Sequence, residues 1–131
     1  MDGAGGTHAT PVHLFVYGTL QPGEVRWQHL AAYVVGDGIA TSVKGELYDT
    51  GLRYPAAMFV GSDTIAGRIY ELSMTTMSDA LAHLDHVEGA VRGLYHRVVV
   101  VTATGTSAWA YQCGDPELLV RRIAGGDWLQ R

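Results

Sequence analysis

Cysteine is nearly absent from this sequence, since Cys113 is the single one among 131 residues. One thiol can form neither an internal disulfide nor a multi-thiolate zinc site, so the chain needs no oxidising compartment. Long apolar runs are missing too, and no stretch approaches the ~20 residues of a membrane span. Basic residues are few: 9 Lys and Arg stand against 13 Asp and Glu, without a dense basic run. The resulting net charge of −4 argues against nucleic acid as the main partner.

The remaining composition is that of a folded domain. Hydrophobic residues make up 47% of the chain and charged residues 17%, which is typical of a globular protein. The length fits a single domain, expected over residues 11–131. Residues 1–10 are rich in Gly and Ala and are expected to be a flexible segment. This segment has no apolar core of the kind that a secretion signal carries, so we expect a cytoplasmic protein.

Short apolar and β-branched runs, separated by Gly and Pro, predict a chain made mostly of strands. The predicted strands span residues 12–17, 41–48, 56–60, 64–72, 95–102 and 107–112, and Gly61–Asp63 is expected to form a hairpin turn. The predicted helices span 75–88, 26–33 and a short stretch from 116 to about 125. Many short strands with one sizeable helix and no βαβ alternation predict an α+β fold with a barrel-like arrangement of the strands.

Glu88, at the end of the main predicted helix, is the most informative residue. At about 100° per residue it shares an arc of about 60° with Met77, Leu81 and Leu84, so the periodicity turns a carboxylate toward the core. A buried carboxylate is usually paired, hydrogen-bonded or protonated. The structural interpretation is an ion pair with Arg97 or Arg92, or a frayed helix end that turns Glu88 outward. The functional interpretation is a carboxylate tuned for proton transfer, and both stay open at this point.

The segment Tyr17-Gly18-Thr19-Leu20 follows the first predicted strand. A glycine there lets the backbone approach a ligand, and successive amides in such a turn can bind an anion or stabilise an oxyanion. An ordinary turn at the end of a strand explains the same four residues. Tyr95 and Tyr111 could line a cavity with their phenols or pack as core aromatics.

Other motifs indicate no further chemistry. No Walker loop and no nucleophile elbow are present. His83 and His86 are expected on a solvated helix face, and Cys113 is expected to be a small buried residue near the end of a strand. We therefore predict no metal site and no cofactor.

Taken together, five segments resemble the γ-glutamylcyclotransferase-like family, and they run in order from Leu14 to Trp128. They are Leu14–Leu20, Tyr54-Pro55-Ala56, Gly67–Leu72, Leu84–Gly89 followed by Tyr95 and Arg97, and Gly125–Trp128. This resemblance implies a small mixed β-barrel with a cavity near the first loop, and an enzyme that releases 5-oxoproline from γ-glutamyl compounds. It implies Glu88 as the acid/base, the amides of Gly18, Thr19 and Leu20 as oxyanion donors, and Tyr17, Tyr95 and Tyr111 as pocket walls.

One segment departs from the family pattern. Many eukaryotic γ-glutamylamine cyclotransferases have an Asn-His pair after the first loop, whereas Gly23-Glu24-Val25-Arg26-Trp27 stands here. The resemblance thus implies a small-molecule γ-glutamyl substrate without saying which one. The alternatives are a ligand-binding or interaction barrel without turnover, and an enzyme that hydrolyses or transfers another amide. The oligomeric state, monomer or homodimer, is left open by the sequence.

Overall fold

The structure, a computed structural model, describes residues 10–90 and 93–131. The predicted flexible segment therefore lies outside the described residues except for Thr10, and so does Arg92, one of the two partners considered for Glu88. In the described part of the chain, no helix has both the length and the apolar character needed to cross a membrane.

Eight short strands and two α-helices make up the described regular structure. The strands are β1 His13–Val16, β2 Val34–Lys44, β3 Glu46–Asp49, β4 Pro55–Met58, β5 Thr64–Leu72, β6 Tyr95–Val101, β7 Ser107–Cys113 and β8 Arg121–Arg122. The helices are α1 Gln28–Ala31 and α2 Met77–Val87, and 3-10 turns span Pro116–Leu118 and Trp128–Gln130. The α+β class with one main helix is confirmed.

The strands pair into two sheets. One has five strands in the order β2-β5-β1-β7-β6, and the other has three in the order β4-β3-β8. All neighbours are antiparallel except β1 and β7, which pair in parallel through Leu14 and Trp109. Neither sheet closes on itself in the described residues, so the barrel part of the prediction is not confirmed.

The centre of the larger sheet is the most buried part of the fold. Leu14, Phe15 and Val16 of β1 are at most 2% exposed, because β1 has a strand on each side and side chains packed on both faces. On one face, Leu14 and Val16 belong to the same apolar cluster as Leu81 and Leu84 of α2. The end of β1 and the end of α2 are thereby held on one side of the sheet.

The main helix lies inside its predicted span, with one difference at its start. Thr76 occupies the N-cap position, but its hydroxyl makes no capping hydrogen bond and is buried without a partner among the described residues. Gly89 follows the C-cap residue with φ of +73°, a conformation that glycine adopts without the steric penalty other residues pay. The helix therefore ends where the sequence places its stop.

Two local predictions were wrong. Gly61–Asp63 does not close a hairpin, because β4 pairs with β3 in the small sheet while β5 pairs with β1 and β2 in the large one. The helix expected from residue 116 to about 125 ends at Leu118, and the chain then enters β8. Both errors have one cause, since local turn and helix signals do not say which strand the next segment will join.

Candidate active site

The loop Tyr17–Leu20 begins directly where β1 ends. Gly18 is buried against Pro55, and a Cβ on Gly18 would lie 2.5 Å from Pro55 Cγ. A side chain is therefore excluded at this position for reasons of space. The carbonyls of Gly18 and Thr19 accept hydrogen bonds from the amides of Gln21 and Arg26, at 3.0 and 2.8 Å. These two bonds hold the loop in shape.

The amides of this loop remain available as donors. Within residues 10–90 and 93–131, the N–H groups of Gly18, Thr19 and Leu20 donate to no backbone or side-chain acceptor. Buried backbone amides are nearly always paired, so three successive amides without a partner among the described residues mark a place where a ligand could accept from them. Successive amides of this kind can stabilise an oxyanion.

Glu88 occupies the C-cap position of α2, with φ of −85° and ψ of 0°. Its side chain is 12% exposed, so it turns inward as the helical periodicity predicts. Burial raises the pKa of the Glu88 carboxyl above its ordinary value, and the guanidinium of Arg26 partly opposes that rise. A carboxyl of raised pKa is better matched to proton exchange with an amine than an ordinary glutamate is.

One pocket collects every residue that the sequence analysis singled out as a site residue. It is a narrow pocket, part of which is open to solvent. Its walls are formed by Phe15, Val16, Tyr17, Gly18, Thr19, Leu20, Arg26, Tyr54, Pro55, Glu88, Tyr95 and Tyr111. The buried carboxylate and the three free amides therefore share one small cavity, although they come from opposite halves of the chain.

The three predicted tyrosines line this pocket with their rings, while their hydroxyls donate hydrogen bonds to other protein groups. The Tyr17 hydroxyl donates to the carbonyl of Tyr111, and the Tyr95 hydroxyl donates to the carbonyl of Pro55 at 2.7 Å. The Tyr111 hydroxyl donates to Asp85 Oδ1 at 2.7 Å. Burial raises the pKa of all three phenols, so they stay protonated and act as walls and braces.

The ion pair between Glu88 and Arg97, one of the alternatives that the sequence left open, does not form. Arg97 instead binds Asp85 through Nε and Nη2, at 2.9 and 3.3 Å, and its guanidinium lies 4.5 Å from the centre of the Trp109 ring. Asp85 is thus shared by Arg97 and Tyr111 behind the pocket wall. Arg97 is therefore paired with Asp85. Glu88 pairs with Arg26 instead, whose Nη1 lies 2.9 Å from Glu88 Oε2.

Removal of the Tyr111 hydroxyl tests this network. We expect Tyr111→Phe to lower the free energy of unfolding by about 1.5–3 kcal/mol, because a hydrogen bond to a charged acceptor is lost. The ring, and with it the pocket wall, is retained, so the substrate KM should stay within about twofold of the parental value. Urea unfolding followed by circular dichroism measures the first effect and steady-state kinetics the second. A variant of unchanged stability would contradict the bracing role.

Histidine and cysteine side chains lie apart from this pocket. Nε2 of His83 lies 3.2 Å from Nδ1 of His29 in α1, and His86 is exposed. Cys113 is buried at the end of β7, where its thiol donates to the carbonyl of Asp115. Among the described residues, no three His, Cys, Asp or Glu side chains come together as a metal site would require.

Comparison with known proteins identifies the family of this chain. Residues 14–130 match the model of the family described as gamma-glutamyl cyclotransferase, AIG2-like. The chain belongs to this family. The resemblance stated from the sequence is thereby confirmed, and the protein is an enzyme with a gamma-glutamyl cyclotransferase-like activity.

Individual cyclotransferase relatives match over most of the chain. The gamma-glutamylcyclotransferase family protein YtfP of Escherichia coli K12 is 34% identical over 122 residues, which cover 92% of this chain and 98% of that protein. The gamma-L-glutamyl-butirosin B gamma-glutamyl cyclotransferase of Niallia circulans is 32% identical over 126 residues, covering 90% of this chain and 76% of that protein. An uncharacterized protein of Pyrococcus horikoshii shares the fold with a TM-score of 0.70 at 23% identity, over 91% of both chains.

Five residues that line the pocket were not named as site residues by the sequence analysis, and two of these, Arg26 and Tyr54, have polar groups on their side chains. Arg26 lies in the segment that departs from the family pattern, and Tyr54 belongs to the Tyr-Pro segment quoted only for its resemblance. The Arg26 guanidinium lies 5.5 Å from the centre of the Tyr54 ring, within reach of a cation–π contact. The sequence shows that Arg26 is a basic residue a few positions after the loop. Its spacing from the loop does not predict that its side chain points into the pocket.

Proposed function

We propose that this enzyme releases 5-oxoproline and a free amine from γ-glutamyl compounds by intramolecular attack of the substrate's α-amine on its γ-carbonyl. The observation that carries the proposal is that one pocket holds both the buried Glu88 carboxylate and the amides of Gly18, Thr19 and Leu20, which have no hydrogen-bond partner among the described residues. A carboxylate of raised pKa suits the amine, and the amides suit the oxygen that becomes charged.

An intramolecular reaction needs no nucleophile from the protein. Among the described residues that line the pocket there is no serine or cysteine, and the one aliphatic hydroxyl belongs to Thr19. Because the attacking nitrogen and the carbonyl carbon belong to one molecule, the enzyme has to hold the folded conformer in which they meet. Such preorganisation supplies roughly 7–11 kcal/mol in favourable cases. Rings of Tyr17, Tyr95 and Tyr111 would shape the space in which the substrate folds.

Glu88 would carry the proton between the two nitrogens. The α-ammonium, with a pKa of about 8, gives one proton to the Glu88 carboxylate, and the neutral amine then attacks the γ-carbonyl carbon. The oxygen becomes negative and accepts from the amides of Gly18, Thr19 and Leu20. When the intermediate collapses, Glu88 gives this proton to the departing nitrogen and the bond between that nitrogen and the carbonyl carbon breaks. The ring nitrogen then loses its second proton to the Glu88 carboxylate, which passes it to the free amine. The two protons lost by the α-nitrogen are thereby gained by the departing nitrogen, and no water is consumed.

A panel of γ-glutamyl amines and dipeptides tests this proposal. We expect purified protein to form 5-oxoproline and free amine in equal amounts, as quantified by mass spectrometry. Release of glutamate in place of 5-oxoproline would identify a hydrolase, and binding without any product would identify a ligand-binding protein. The matched control is the same substrate acetylated on its α-nitrogen. This compound cannot cyclise in the proposed way, so release of its amine would overturn the proposal.

A further inference from the structure

Arg26 joins the catalytic pocket to the cleft beside it. Its guanidinium pairs with Glu88 in the inner pocket, and it also borders a neighbouring cleft lined by Tyr54, His86, Gly89 and Leu94. Its backbone amide is bound to the carbonyl of Thr19, so the arginine is anchored on the loop that presents the free amides. The side chain is 31% exposed and could therefore move without unpacking the core.

The pair between Arg26 and Glu88 conflicts with the chemistry proposed above. A carboxylate that accepts a hydrogen bond from a guanidinium at 2.9 Å is held in its charged form and has one oxygen occupied. Glu88 has to engage the substrate's α-ammonium in order to take its proton. At that moment Arg26 loses its anionic partner, and its guanidinium, 31% exposed, becomes available to bind another anion.

A γ-glutamyl substrate resolves this conflict, since its α-carbon carries an ammonium and a carboxylate together. We propose that Arg26 binds the α-carboxylate of the substrate, exchanging its pair with Glu88 for a pair with the ligand, while Glu88 receives the α-ammonium. This inference rests on the proposed function and adds the recognition element for the amino-acid end of the substrate. One internal ion pair is replaced by two across the interface, so every charge stays paired.

Other cations of the described chain are less suited to this role. Arg26 is the one cationic side chain among the described residues that line the pocket, and Arg97 is engaged by Asp85 and by the Trp109 ring. A guanidinium also matches a carboxylate through two parallel N–H groups, which a lysine ammonium cannot do. The exchange therefore requires arginine specifically, and the substrates it selects are γ-glutamyl compounds with a free α-carboxylate.

The experiment alters the proposed contact between Arg26 and the α-carboxylate, once in the protein and once in the substrate. A γ-glutamyl amine and its α-carboxamide analogue are compared on the parental enzyme, Arg26→Met and Arg26→Lys. We expect the parent to prefer the carboxylate substrate by about 10- to 100-fold in kcat/KM, in line with a hydrogen bond between charged groups. In Arg26→Met, the kcat/KM values for the carboxylate substrate and the carboxamide analogue should differ by no more than about threefold. The preference of Arg26→Lys should lie between those of the parent and Arg26→Met. Arg121→Met, at a side chain that is 81% exposed on β8, should keep the parental preference.

Substrate binding to a variant without the acid/base gives a readout that does not depend on turnover. We expect calorimetry on Glu88→Gln to show the γ-glutamyl amine bound at least about tenfold tighter than its α-carboxamide analogue, with the difference lost in the double variant Glu88→Gln/Arg26→Met. If both Arg26 variants slow the two substrates by the same factor, or if Glu88→Gln binds the two compounds alike, the recognition role is overturned. In that case the parent still forms 5-oxoproline, so the proposed function survives. If the parent forms none, the function itself fails.

Discussion

Glu88→Gln should lower kcat/KM for 5-oxoproline formation by about 10²- to 10⁴-fold, the range typical of loss of a general acid–base group. Glutamine has nearly the same shape and can still accept a hydrogen bond from Arg26, so the pocket should keep its walls. What is lost is the ability to take and return a proton. The measurement is the initial rate of 5-oxoproline release under substrate-limited conditions.

Asp79→Asn is the matched control for this variant. Asp79 lies on the same helix, α2, and its replacement removes the same charge at an exposed position. Its kcat/KM should stay within about twofold of the parent. A folded Glu88→Gln protein that forms 5-oxoproline at the parental rate would remove Glu88 from the mechanism.

The pH dependence of the parental enzyme has a defined sign. Because burial raises the pKa of Glu88, the carboxylate form is lost at a higher pH than in an ordinary glutamate. We expect kcat/KM to fall as the pH drops through this raised pKa, and we expect the residual rate of Glu88→Gln to lack that acid limb. An acid limb that is identical in both proteins would assign the titration to another group.

The same raised pKa predicts an effect on stability. The folded state binds the Glu88 proton more tightly than the unfolded chain does, so the charged form is penalised on folding at neutral pH. Glu88→Gln should therefore unfold at a temperature no lower than the parent at pH 7. As the pH falls through the folded pKa and then the unfolded one, the penalty disappears and the parent gains stability relative to the variant. Calorimetric scans across this range separate loss of chemistry from loss of fold.

Gly18→Ala is expected to lower kcat/KM by about 10²- to 10³-fold, comparable to loss of an oxyanion donor elsewhere. The new Cβ would lie 2.5 and 2.9 Å from Cγ and Cδ of Pro55, closer than side-chain carbons approach. The loop has to move away, and its amides then lose their alignment with the substrate oxygen. Gly125→Ala is the matched control, because a Cβ there meets nothing within 4 Å, and it should leave the rate unchanged.

A second substitution distinguishes displaced amides from a general loss of fold. Pro55→Ala removes the two carbon atoms that a Cβ on Gly18 would meet, while it retains the carbonyl that accepts from Tyr95. The kcat/KM of the double variant Gly18→Ala/Pro55→Ala should therefore be at least about tenfold higher than that of Gly18→Ala, since the two changes act on one contact. If Gly18→Ala displaces the loop in a crystal structure and still works at the parental rate, the amides are not the oxyanion site.

The position of Glu88 could be predicted because helix geometry is local. A spacing of four and seven residues from Leu84 and Leu81 places it on their face, and Gly89 terminates the helix next to it. The loop after β1 was predicted for a similar reason, since an apolar strand followed by glycine is itself a local signal. Such features follow from neighbouring residues, so one sequence is enough to find them.

The partner of Glu88 could not be predicted in the same way. Arg26 is 62 positions away, and its approach depends on how α1 and α2 pack against the end of β1. The predicted hairpin between β4 and β5 was wrong for a related reason. Gly61–Asp63 separates the two strands, but each of them pairs with strands of a different sheet. Competition among strands for partners is decided by the whole core.

For this protein, the sequence alone determined the helix, the inward carboxylate, the glycine loop and, through five ordered segments, the family. Only the tertiary structure decided that Glu88 is held by Arg26, that Arg97 and Tyr111 are engaged by Asp85, and that two sheets form. The reason is physical. Periodicity and steric limits act within a few residues along the chain, whereas ion pairs and strand partners are selected by distances between segments that are remote in sequence.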